Sequence, residues 1–211
     1  MKIDQKELRM VPNVLCLIRL ASVPIFVFFI LFGGLRADYT YFVLIGLGVF
    51  LFAASTDMFD GHIARKYNMV TELGKFLDPF ADKVMHVSVI LSLVIIGYVH
   101  WAIIVLLAVK ELTMIILASL LINRKIVIKA NFMGKLASIL LSAGVIVAFF
   151  IAVPEIIGAQ TARDIIYYVS QGILALGIIL TYTAFFIYLK IGLDKYRELK
   201  ENKGENDSKE E

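Results

Sequence analysis

Apolar residues run in stretches of about twenty, separated by short clusters of charge. The stretches fall near 14–33, 40–61, 77–97, 101–122, 133–153 and 166–189. Each is long enough to cross a ~30 Å hydrocarbon core as a helix rising ~1.5 Å per residue. The pattern predicts an all-α integral membrane protein, with six transmembrane helices forming one domain over 1–193. Residues 1–12 mix Ile3, Leu8, Met10 and Val11 with charges ahead of Pro12, which suits a short N-terminal interfacial helix or a frayed end. From Asp194 the chain turns charged and ends in GENDSKEE. Such a composition buries no core, so 194–211 reads as a solvated, disordered tail.

Composition agrees with the pattern. Of 211 residues, 60% are hydrophobic, and the mean hydropathy is +0.83, above the usage of soluble domains. The formal charge of +3 is small, but its placement is uneven. Lys2, Lys6 and Arg9 precede the first run, Arg65, Lys66 and Lys75 fill the second connection, and Arg124, Lys125 and Lys129 fill the fourth. The tail carries Lys190, Lys195, Arg197, Lys200, Lys203 and Lys209, whereas the first, third and fifth connections offer Arg36 and Arg163. Basic connections stay cytoplasmic, so both termini and the second connection are expected to face the cytoplasm from the inner membrane. Arg19 interrupts the first run and no small-residue cleavage pattern follows, so the run is kept as a span rather than a signal peptide. Cys16 is alone, and no intrachain disulfide is possible.

The polar exceptions carry the chemistry. Asp57 and Asp60 are spaced i,i+3, and Asp78 and Asp82 i,i+4, so each pair shares a helix face. Ionised acids among apolar spans are expensive and call for compensation. Oxygen-only donors without His or Cys favour hard cations such as Mg²⁺, Mn²⁺ or Ca²⁺ over zinc, and two such ions would clamp a transferring phosphoryl group. Gly61 and Ala64 share the stripe of Asp57 and Asp60 and leave room for a ligand to approach the backbone. Arg65 adds a bidentate phosphate partner, and Gly74 repeats the small-residue theme before Asp78. Pro79 suits a first helical turn. Asp82, deepest in sequence, is the expected general base for an incoming hydroxyl. Helix capping or pairing with Arg65, Lys66, Lys75 and Lys83 explains one such aspartate better than it explains four. His86 lies one turn after Asp82 and within reach of it, although a satisfied core hydrogen bond is the commoner fate of such a histidine. His62 shows no ligand spacing, and His100 with Trp101 suits a membrane boundary.

The stretch D-x2-D-G-x2-A-R-x8-G-x3-D-x3-D resembles the signature of the CDP-alcohol phosphotransferase family. Asp57, Asp60, Gly61, Ala64, Arg65, Gly74, Asp78 and Asp82 match every fixed position. With about one chance in twenty at each, coincidence is excluded. The resemblance implies a homodimeric enzyme of membrane phospholipid biosynthesis that uses two divalent cations, Mg²⁺ or Mn²⁺. It would transfer a phosphatidyl group from CDP-diacylglycerol to an alcohol and release CMP. It also implies that Asp57, Asp60 and Asp78 are metal ligands and that Asp82 is a metal-linked base. Asp57 and Asp60 with Gly61, Ala64, Arg65 and Gly74 would form the CDP-binding set. No nucleic-acid partner is implied.

The segment PNVLCLIRLASVP, residues 12–24, resembles the start of phosphatidylglycerophosphate synthases, with Asn13 and Arg19 matching. An intramembrane arginine is a functional candidate, with snorkelling or a structural hydrogen bond as alternatives. Lys110 and Glu111 fall where those synthases carry an Arg-Glu pair, and Lys135 matches a basic residue opening the fifth span. Asn13, Arg19, Lys110, Glu111, Arg124 and Lys135 are therefore the expected acceptor-binding residues. Adjacent positions do not face each other on a helix, so Lys110 and Glu111 are expected to find separate partners. Ile115 and Ala118 replace a Thr and an Arg of that subfamily. Cardiolipin synthases of this fold, which use phosphatidylglycerol in place of glycerol-3-phosphate, are thus the alternative. Outside the enzyme class, a small cation transporter would explain intramembrane acids. It should, however, carry ionisable residues through the outer half of the spans, which this chain does not. A non-catalytic nucleotide-sugar or lipid binder would be expected to lose an aspartate such as Asp82.

Overall fold

A computed structural model describes residues 11–66, 72–122 and 132–207, with side chains described for 14–56, 78, 80–117 and 132–195. Among the described residues every regular element is helical. The long helices are α1 (Val11–Gly34), α2 (Tyr41–Lys66), α3 (Glu72–Ile95), α4 (Trp101–Ile122), α5 (Phe132–Phe149) and α7 (Gln160–Asp207), with a short α6 (Ala152–Ile156) before the last and a single 3-10 turn at Ala37–Tyr39. The stretches Val14–Gly34, Phe132–Ile156 and Gln160–Lys195 are long and apolar enough to cross a membrane, and Tyr41–Thr56 is a shorter apolar segment. Their outward positions are apolar as well, with Phe132 72% exposed and Ile179 60%, as expected of surfaces that meet lipid tails rather than water.

Three bounds differ from the hydropathy pattern. The α2 helix runs five residues past 61, and α3 begins at Glu72 rather than near 77. Polar side chains end the apolar run but do not end the backbone hydrogen bonding. Pro79 therefore sits inside α3 rather than in its first turn, and, lacking an N–H, leaves the Lys75 carbonyl without its usual helical donor. The α7 helix continues to Asp207, so helical backbone covers most of the segment expected to be disordered. Its Lys, Arg, Glu and Leu are strong helix formers, and Arg197 and Glu201 are spaced i,i+4. The interfacial helix expected before Pro12 lies, through residue 10, outside the described residues.

The chain divides into two compact units, one of Met1–His100 with Val145–Ser170 and one of Trp101–Gly144 with Gln171–Glu211. In the first unit α1 packs along α2 and α3, and α2 touches α6. Phe50 on α2 is the hinge of an aromatic stack, edge-on to Phe26 at 5.9 Å and parallel to Phe149 at 6.2 Å. Gly46 brings α1 and α2 close, since a Cβ there would lie 2.9 Å from Ile30 Cγ1. Without a hydrophobic drive between helices in lipid, such small-residue contacts carry the packing. In the second unit the device is reciprocal: a Cβ on Gly144 would meet Leu174 Cγ at 2.7 Å, and one on Gly177 would meet Leu141 Cδ2 at 2.9 Å. Tyr182 there donates to the Leu106 carbonyl at 2.9 Å.

Candidate active site

The aspartates sit on two helices held by a third. Asp57 and Asp60, with Gly61, Ala64 and Arg65, lie in the last third of α2, where unbroken helical backbone keeps the i, i+3, i+4, i+7 register of one stripe. Gly74, Asp78 and Asp82 lie in the first half of α3. The side chains of Asn13, Asp57, Asp60, Gly61, Ala64, Arg65 and Gly74 are outside the described set, and Arg124, Lys125 and Lys129 lie outside the described residues. Both acid-bearing helices pack on α1, which carries Arg19.

Arg19 is 0% exposed, so it does not snorkel to the membrane surface. A guanidinium this deep calls for nearby negative charge or hydrogen-bond acceptors. Asp82 is itself open, with 47% of its side chain exposed. Asp78 Oδ1, one turn earlier, is shielded from solvent. The pair thus presents one sheltered and one accessible carboxylate on the same face. His86, one turn beyond, places Nδ1 3.0 Å from the Asp82 carbonyl oxygen and 3.5 Å from Asp82 Oδ1. Its ring stands edge-on to Phe50 of α2, centroids 6.4 Å apart. Spacing alone allowed either contact to Asp82 or a core hydrogen bond, and the structure shows both.

The donor set fits hard divalent cations. Asp78 and Asp82 offer carboxylate oxygens from α3, and the sequence places Asp57 and Asp60 on α2 with the same donor type, which is the chemistry hard divalent cations prefer.

Lys110 and Glu111 on α4, and Lys135 on α5, belong to the second unit. Against expectation, Lys110 Nζ bonds Glu111 Oε1 directly at 2.6 Å, with side chains 19% and 31% exposed. Neighbouring helical positions point about 100° apart, but the Lys stem is long enough to swing back. In apolar surroundings mutual neutralisation outweighs the rotameric cost. Lys135 is exposed.

A second polar cluster went unseen in the sequence. Tyr98 donates to Glu155 Oε2, and Arg163 Nε donates to Glu155 Oε1 at 2.7 Å, joining the connection after α3 to α6 and the start of α7. Two glycine caps set it up. Gly97 has φ +80°, Tyr98 N bonds Leu93 O at 2.8 Å and Gly97 N bonds Val94 O at 3.0 Å. Gly158 has φ +71°, with Ala159 N on Pro154 O at 2.8 Å and Gly158 N on Glu155 O at 3.3 Å. Both are Schellman motifs, which need a left-handed residue just past the helix. The sequence hint was each glycine's position after an apolar run; nothing in sequence pairs residues 57 positions apart.

Helices long and apolar enough for a bilayer, with a buried arginine on α1 and α1 packed against both helices that carry the aspartates, define an all-helical, membrane-type protein. The chain belongs to the CDP-alcohol phosphatidyltransferase family, whose model matches residues 9–189. Among curated relatives, it is 38% identical over 124 residues to a Mycobacterium tuberculosis (strain H37Rv) protein named "Probable phosphatidylglycerophosphate synthase", covering 59% of this chain and 58% of the relative. It is 37% identical over 133 residues to the Bacillus subtilis CDP-diacylglycerol–glycerol-3-phosphate 3-phosphatidyltransferase, covering 59% of this chain and 68% of the relative. It is 33% identical over 134 residues to a Streptomyces coelicolor cardiolipin synthase (CMP-forming), covering 61% and 59%. The match thus spans less than two thirds of the mycobacterial relative's length.

Proposed function

We propose that the protein transfers the phosphatidyl group of CDP-diacylglycerol to glycerol-3-phosphate and releases CMP. The observation that carries this is the packing of both aspartate-bearing helices on α1, with an accessible Asp82 one turn from the sheltered Oδ1 of Asp78. The acceptor hydroxyl oxygen attacks the lipid-side phosphorus, a new P–O bond forms, the bond from that phosphorus to the bridging oxygen breaks, and CMP leaves with the electron pair. The hydroxyl proton passes to the Asp82 carboxylate. Asp57, Asp60, Asp78 and Asp82 would hold two divalent cations, Mg²⁺ or Mn²⁺, which when bound neutralise the charge that builds on the pyrophosphate oxygens. Gly61, Ala64 and Gly74 leave space for the cytidine diphosphate along the helix backbones, and Arg65 pairs with its phosphates. Arg19, buried on the helix that packs against both acid-bearing helices, is placed to offset the charge of the acid cluster.

In this account six helices span the inner membrane, both termini and the aspartates face the cytoplasm, and two copies associate. Asn13, Lys110, Glu111, Arg124 and Lys135 are the proposed acceptor-binding residues. The likeness to the Streptomyces coelicolor cardiolipin synthase and the lipid-facing Ile115, 57% exposed, favour phosphatidylglycerol as a second acceptor. Purified protein supplied with CDP-diacylglycerol and Mg²⁺ or Mn²⁺ tests both. CMP release with glycerol-3-phosphate supports the synthase, release with phosphatidylglycerol alone supports the alternative, and no release with either removes both.

A further inference from the structure

We propose that His86 is a positioning residue for Asp82, fixing which carboxylate oxygen meets the acceptor hydroxyl; this rests on the function proposed above. His86 Nδ1 stands 3.0 Å from the Asp82 carbonyl oxygen and 3.5 Å from Asp82 Oδ1. A carbonyl only accepts, so Nδ1 carries the hydrogen, and the same N–H leans on the nearer carboxylate oxygen. One oxygen is thereby held against the helix, and the other is left for the substrate proton.

The ring is held as well as bonded. It packs edge-on to Phe50, with an interplanar angle of 85°, and Phe50 is 3% exposed, locked between Phe26 and Phe149. With 34% of its side chain exposed, His86 stands at the edge of the core, its ring plane fixed on one side by Phe50 and its Nδ1 turned toward the half-exposed carboxylate. The arrangement matches the way an outer partner orients a metal-binding or proton-accepting carboxylate, where removal costs about 10–100-fold.

Three His86 variants, one Asp82 variant and two readouts test this. His86→Leu keeps the bulk and removes the donor; kcat for CMP release should fall at least about tenfold, with KM for CDP-diacylglycerol within about threefold of wild type. His86→Asn places an amide N–H where Nδ1 stood and should recover kcat to within about threefold, while His86→Gln, which reaches further, should not. Independently of activity, NMR of isotope-labelled histidine side chains in bilayers should show one neutral Nδ1–H ring that disappears in the His86 variants and shifts in Asp82→Asn. Unchanged kcat in His86→Leu, loss without rescue by Asn, or an Nε2–H ring at His86 each overturns the assignment. Wild type that releases no CMP with any acceptor sinks the proposed activity instead, and the NMR arm then still decides whether His86 grips Asp82.

Discussion

Glu155 accepts from both Tyr98 and Arg163, and replacing it by Ala undoes the clasp that ties the end of α3 to α6 and α7. Tyr98 is 2% exposed, so the loss of its Glu155 acceptor in a buried setting costs about 1–3 kcal/mol. The Arg163 pair, with side chains 36% and 24% exposed, is partly screened and adds no more than about 1 kcal/mol. The sum, about 1–4 kcal/mol, corresponds to a fall in Tm of roughly 2–16 °C for a chain of this size. Glu155→Gln keeps an acceptor for Tyr98 and should lose about 1 kcal/mol. Tyr98→Phe leaves Glu155 its arginine and should lose a similar amount. The clasp also has a pH signature. Burial first, then the hydrogen bond and charge of Glu155, raise the Tyr98 hydroxyl well above the ordinary tyrosine value. A raised folded-state value means the contribution is complete below about pH 10 and fades as pH climbs beyond it. Thermal unfolding in detergent, followed for all variants between neutral pH and pH ~11, checks both. Since Tyr98 lies roughly 24 Å along the chain axis from Asp82, CMP release at low temperature should change little. A Glu155→Ala protein melting within ~2 °C of wild type, or a Tyr98→Phe deficit that persists undiminished above pH ~10, would refute the reasoning.

Arg19→Met removes the buried cation of α1 and should lower CMP release while the protein still melts cooperatively; melting and activity assays of the same preparation separate a folding defect from a loss of activity. Gly46→Ala drives a methyl against Ile30 and should cost about 1–3 kcal/mol by overpacking, read as a lower melting temperature with CMP release per folded molecule retained. Chelation of divalent cations should abolish CMP release, and Mg²⁺ or Mn²⁺ should restore it while Zn²⁺ should not; restoration by Zn²⁺ would contradict an oxygen-only donor set.

Much of the fold was legible because membrane helices announce themselves by uninterrupted apolar length. The runs near 101–122 and 14–33 match α4 and most of α1 closely. Hydropathy misplaced the ends that carry the chemistry, because DMFDGHIARK in α2 and the turns of α3 before residue 77 are polar yet helical. Such ends are set by backbone hydrogen bonds and not by transfer energy. The shared face of Asp78 and Asp82 follows from their i,i+4 spacing, whereas for His86 the sequence favoured a core hydrogen bond and the structure adds the 3.5 Å approach to Asp82 Oδ1. The Tyr98–Glu155–Arg163 clasp and the edge of Phe50 on His86 were not legible, because each joins helices distant in sequence. The Lys110–Glu111 pair was misjudged because helical geometry fixes the Cβ directions but not where a long side chain ends.

The central claim is that Asp82 takes the acceptor proton in a metal-dependent phosphatidyl transfer. The most direct measurement is CMP release from CDP-diacylglycerol and glycerol-3-phosphate by wild type and Asp82→Asn side by side, with folding of both checked by thermal melting. The account predicts release by wild type and a loss of at least about 10²-fold in the variant with its melting transition retained. A folded Asp82→Asn protein that releases CMP at the wild-type rate would contradict it.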